Sequence, residues 1–214
     1  MSDRATFDRF RHKVARLREQ DPDCRRFGSS AHRYRLFEPL LEQRLLDLEQ
    51  ACAIQLPDSV RAFITQFADG GAGPGYGLFA FSSTLAAAAK SPVARSALQK
   101  PFRFTTVIAE RIVAYRTSTP QRSWETERCA AESDLTTDET GEDVSPFGTL
   151  RLVDLGCGAE DVLVLSGEQR EMVWCNDQPY DQLWWPYSAI EGRQLGFLDW
   201  YEQWLDDYSR DDTL

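Results

Sequence analysis

The chain has 214 residues, 42% of them hydrophobic and 27% charged, with a formal net charge of −10. That length gives one or two domains and enough buried surface to form a core without disulfide or metal staples. An acidic balance, with a sequence pI of about 4.8, argues against nucleic-acid binding as the main task. The first twenty residues lack the apolar stretch of a signal peptide, and no apolar run could cross a bilayer, so a soluble, cytoplasmic protein without membrane contact is expected.

Charge is unevenly spread. Residues 1–36 hold ten Lys/Arg against five Asp/Glu, a net of +5, which leaves −15 for residues 37–214. Within that basic opening, Phe7, Phe10, Val14 and Leu17 fall at helical spacing, and Asp21-Pro22 ends the pattern. The stripe is expected to pack on the remainder of the protein and leave its arginines in water.

Pro39 suits the first turn of a second helix, whose face carries Leu41, Leu45, Leu48 and Cys52. Pro57 then opens a third, with Val60, Phe63, Ile64 and Phe67 inward and Gly70-Gly71 stopping it. The glycines at 71, 73, 75 and 77 superficially suggest a phosphate cradle. Such a loop follows a strand and opens a helix, however, and here the order is reversed, with no GK[ST] after it. The run reads as a turn into a strand near Gly77.

Ser83-Thr84 could cap a short alanine-rich helix, and Ser91-Pro92 could start another reaching about Gln99. The stretch FTTVIAERIVAY fits strand or helix equally. After it, residues 118–147 are polar and acidic and read as a partly flexible insertion. TLRLVDL alternates as a strand, Gly156-Cys157-Gly158 turns, VLVLS is an apolar strand, and Gly167-Glu168 reverses the chain into EMVWC, giving an antiparallel meander. The last segment is an amphipathic helix with Phe197, Tyr201, Trp204, Leu205 and Tyr208 on its inner face and its acids outward. The order predicts an α+β fold in a single domain, with a mainly antiparallel sheet packed against helices, an N-terminal helix pair and a closing C-terminal helix.

Chemistry-bearing patterns are sparse. The five cysteines form no CxxC pair, and the only histidines are His12 and His32, so no zinc or other metal site is expected. No GxSxG or HExxH occurs, and the histidines lie far in sequence from most cysteines, which gives a Cys–His nucleophile no support. Neither a catalytic residue nor a cofactor nor a small-molecule substrate is therefore expected.

LEQACAIQLPDSVRAFITQFADGG resembles the opening of the SUKH superfamily: a leucine-glutamate helix, a gap, Leu-Pro, a second helix and Gly-Gly. LRLVDLGCGAEDVLVLSGEQREMVW resembles the family's strands around a Gly-Cys-Gly turn, and GFLDWYEQWLDDY its closing helix. The three blocks occur in family order over residues 37–81 and 148–208. This resemblance divides the chain into an N-terminal helical extension, 1–36, and a SUKH-like domain, 37–214, with a variable insertion about 82–148. It implies a domain that acts by binding. Bacterial members include immunity proteins that neutralise a toxin domain, often a nuclease. Fungal members regulate cell-wall synthesis, so an intracellular regulator or scaffold without a toxin partner stands as the alternative.

A nuclease must hold phosphates, so its groove is usually positive, and an acidic protein can steer onto it and occlude it. The expected contact groups are Asp134, Asp138, Glu139, Glu142 and Asp143 of the insertion. Trp184 and Trp185 are added as aromatic anchors, since neighbours on an extended chain point to opposite sides.

Overall fold

The computed structural model describes residues 3–118, 147–176, 184–189 and 192–210. It shows an α+β single domain built on a four-stranded antiparallel sheet in the order β1-β2-β3-β4.

Helix α1 (Asp3–Gln20) buries Phe7, Phe10, Val14 and Leu17, as its spacing requires, and stops before Pro22. A single helical turn, α2 (Ser29–His32), follows. Helix α3 begins later than Pro39 predicts, spanning Glu42–Cys52. The reason is tertiary: the Leu40 N–H donates to the Ile64 carbonyl at 3.0 Å, which holds residues 38–41 extended. Leu45, Leu48 and Cys52 reach the core, whereas Leu41, before the first turn, is 80% exposed and drops out of the expected stripe.

Helix α4 (Asp58–Ala62) runs directly into a π-helical turn, Phe63–Phe67. The wider turn, closed by Ala68 N–H to Phe63 C=O at 2.9 Å, allows Phe63, Ile64 and Phe67 all to face inward. Between α3 and α4, Glu49 is buried but satisfied: it accepts from the Leu56 N–H at 2.7 Å and pairs with Arg61, which also reaches Glu42.

Helix α5 spans Phe81–Lys90, starting before Ser83-Thr84. Its cap comes from outside the helix, because the buried Asp69 carboxylate accepts from the Ser82 N–H at 2.9 Å and from the Ser82 hydroxyl. Helix α6 (Pro92–Gln99) starts as its sequence suggests, with the Ser91 hydroxyl accepting from Ala94 N–H at 3.2 Å. The undecided stretch after Phe104 is helical, as α7 (Thr106–Ser118), with Thr105 and Glu168 accepting from its first free N–H groups.

Strands β1 (Thr149–Gly156), β2 (Ala159–Val164) and β3 (Val173–Asn176) make the expected meander, and a three-residue β4 (Trp184–Pro186) adds a fourth rung. Helix α8 (Phe197–Arg210) closes the chain; Phe197, Tyr201, Trp204 and Leu205 are buried with Trp200, and the Tyr208 side chain lies outside the described residues.

The sheet extends beyond β1 by single bridges. Leu78 pairs with Val153, Gly71 with Leu78, and Leu36 with Gly71, all antiparallel. The strand expected at Gly77 is thus one rung wide, and the glycine turn supplies an inner rung between Leu78 and Leu36.

Two cores flank the sheet. On one face α1, α3, α4, the π turn, α5 and α8 enclose the large core, where Phe7 meets Phe63 and Phe67 at centroid separations of 6.2 and 5.8 Å. The apolar stripe of α1 therefore belongs to the same core as Phe63 and Phe67. On the other face Val162, Val164, Trp174 and Trp184 pack under Phe102, Phe104 and α7.

A candidate interaction surface

Three backbone segments meet beside the β1–β2 hairpin and hold two aromatic rings in solvent. Phe27 is 60% and Tyr76 47% exposed, with ring centroids 5.5 Å apart. Their positions depend on glycine. A Cβ on Gly28, at φ +75°, would lie 1.7 Å from the Gly75 carbonyl oxygen, and one on Gly75, at φ +53°, 2.5 Å from the Asp154 carbonyl oxygen. The Tyr76 N–H donates to that Asp154 carbonyl at 3.0 Å, and the Tyr76 ring lies over Gly156. Next along the hairpin, Cys157 is exposed at φ +52°. Just before Phe27 in the chain, Arg25 and Asp23 form an exposed pair at 2.8 Å. Exposed aromatics on a backbone whose close approaches require glycine are what protein partners anchor on.

The residues expected to meet a partner are distributed otherwise. Asp134, Asp138, Glu139, Glu142 and Asp143 lie outside the described residues. Trp184 is 3% exposed, enclosed by Phe102 and Phe104, and is a core residue, not an exterior anchor. The alternation of β4 sends Trp185, half-buried, to the opposite face, level with Cys175. The acids of α8 are partly neutralised from within: Arg9 makes a bidentate pair with Glu202 at 2.7 and 2.8 Å, and Lys13 reaches both Glu202 and Asp206 at 2.7 Å. The basic face of α1 thus answers the acids of the closing helix. Its two donors hold the Glu202 carboxyl down to about 2, against burial that opposes them.

Two buried groups stand out for their chemistry. Asp161 on β2 is fully buried on the large-core face and accepts from the Tyr187 hydroxyl at 3.0 and 3.1 Å, with the Cys175 and Trp200 side chains also donating. Burial pushes its carboxyl up to about 7, since neutral donors offset only part of the desolvation. His32 is 8% exposed; its Nδ1 accepts from the Tyr34 N–H at 3.0 Å, while Nε2 has no partner among the described residues. Burial pushes the imidazole down to about 4, against the opposing pull of Asp21. Tyr34 in turn donates to Asp21 at 2.7 Å. Cys52 and Cys175 are buried as small apolar residues would be, whereas Cys157 is exposed and Cys24 intermediate.

Among the described residues, no group of His, Cys, Asp and Glu is placed to hold a metal, and no helix is long and apolar enough to cross a membrane. No family model, curated protein or solved structure matches the chain.

Proposed function

We propose that this protein works by binding another protein, as an immunity-type inhibitor that occludes a basic, nuclease-like toxin domain. The observation that carries the reading is the Phe27–Tyr76 pair, two large rings held in solvent by a glycine-dependent backbone. Its electrostatic complement is the net charge of −10, which favours encounter with a cationic partner. Steering raises the rate of encounter, while buried aromatic anchors supply most of the affinity. The acids of the insertion and Trp185 are the further contact groups in this reading, and no catalytic step or cofactor is involved.

The test is rescue from a toxin. A basic C-terminal toxin domain from the neighbouring reading frame is expressed with and without this protein, and growth is followed. Rescue is expected, and Phe27→Ala combined with Tyr76→Ala should weaken the complex on the order of a thousandfold, at about 2 kcal/mol per anchor. Continued cell death with the soluble protein present would refute the immunity reading.

A further inference from the structure

The outermost rung of the extended sheet is open on one side. Residues 35–37 bond inward through the Arg35 carbonyl, which accepts from Ala72 N–H at 2.7 Å, and the Phe37 N–H, which donates to Gly70 at 3.0 Å. Hydrogen bonding alternates along an antiparallel rung, so the N–H and C=O of Leu36 between them face outward. Neither has a hydrogen-bond partner among the described residues. Such an edge is a template for another strand.

Beside it runs a groove of about 740 Å³ whose other wall is α1. Val14, Ala15 and Leu36 give it apolar lining, and Arg11, Arg18 and Arg35 line it against a single acid, Glu19. Arg18 and Arg35 are exposed and enter no ion pair among the described residues, whereas Arg11 is engaged with the Gln66 carbonyl at 2.6 Å and with Asp8. The groove thus joins an unpaired backbone rung to two available guanidinium groups.

We propose that an extended acidic peptide docks here as an added strand, pairing its backbone with Leu36 and its carboxylates with Arg18 and Arg35. The combination selects the occupant. A nucleic acid or free phosphate would suit the arginines but has no amide backbone to pair with Leu36. A second copy of this chain would bring the same arginines against themselves. An acidic strand satisfies both features, with main-chain bonds giving affinity and the arginines giving choice of sequence. This site is separate from the Phe27–Tyr76 surface and does not depend on the immunity reading.

The probe is a short fluorescent peptide alternating glutamate and valine, titrated against the full chain by anisotropy, with exchange of the Leu36 amide followed by NMR. Saturable binding, slowed Leu36 exchange and a loss on the order of tenfold for Arg18→Glu or Arg35→Glu are expected. Both variants alter exposed side chains, and unchanged melting temperatures would confirm their fold. Methylating alternate backbone nitrogens of the peptide should abolish binding. Equal affinity of the methylated peptide would overturn the proposal, since charge alone would then explain the contact. So would tighter binding of single-stranded DNA without protection of Leu36, or a dimer of this chain that the peptide fails to displace.

Discussion

His32 and Asp161 titrate in opposite senses across the acid range, and their effects on stability oppose each other. An unfolded histidine takes up a proton near 6.5 but the buried His32 only near 4. Stability is therefore lost as pH falls from about 6.5 towards 4. An unfolded aspartate ionises near 3.8 but Asp161 only near 7, so that contribution is lost as pH rises from about 3.8 to 7. Each is worth on the order of 3–4 kcal/mol, and the parent should show a shallow dependence between these limits. Urea unfolding at several pH values should separate them. In Asp161→Asn, stability should fall on acidification from pH 7 to 4; in His32→Asn, which keeps an acceptor for the Tyr34 N–H, it should rise. Parallel profiles for the two variants would contradict the assignment. Glycine is the other lever at this scale. Gly28→Ala, with its Cβ 1.7 Å from the Gly75 carbonyl oxygen at positive φ, should cost several kcal/mol or prevent folding. Gly196→Ala, whose nearest neighbour is 3.9 Å away, should change the melting temperature little. Of these residues the sequence signalled little. Asp161 precedes an apolar run and looks like the polar start of a strand, and nothing local shows that Tyr187 and Trp200 will close over it.

Helices α1 and α8 form one unit although far apart in sequence. Phe10 meets Tyr201 at 5.4 Å, and the Arg9–Glu202 and Lys13–Glu202 pairs latch the helices on their exposed side. Packing dominates over the latch, since part-exposed ion pairs contribute about 1 kcal/mol or less and burial of a phenylalanine several. Phe7→Ala should thus destabilise the protein by about 3–5 kcal/mol in denaturant titration. Deleting residues 1–36 should yield insoluble protein by uncovering Phe63, Phe67 and Tyr201, and a folded, soluble truncation would contradict the shared core. The helices with strong periodicity, and the three strands joined by tight turns, were legible because each buries a face set by local spacing. The start of α3, the cap of α5 and the conformation of α7 were not. Each is decided by a contact from a distant segment: Ile64 on Leu40, Asp69 on Ser82, Glu168 on Thr106.

For the whole molecule, the apparent division into a basic opening and an acidic body is partly cancelled by folding, because α1 lays Arg9 and Lys13 on the acids of α8. The net charge of −10 remains. If that field steers a cationic partner, the association rate should fall severalfold from low to physiological ionic strength, with dissociation little changed. A stopped-flow rate indifferent to salt would remove steering from the proposed function. The candidate surface was only half legible. Gly156-Cys157-Gly158 was readable as a hairpin turn, but Phe27 and Tyr76 sit in loops, where no periodic pattern shows that distant backbones meet.

The partnership of α1 with α8 also bears on synthesis. Arg9 and Glu202 are 193 positions apart, an interval a ribosome covers in about 10–40 s. Throughout that time the first apolar stripe has been made and its final cover has not. Nascent chains halted before Phe197 should be cut readily by protease near α1 and retained by chaperones, and both properties should vanish once the last helix is released.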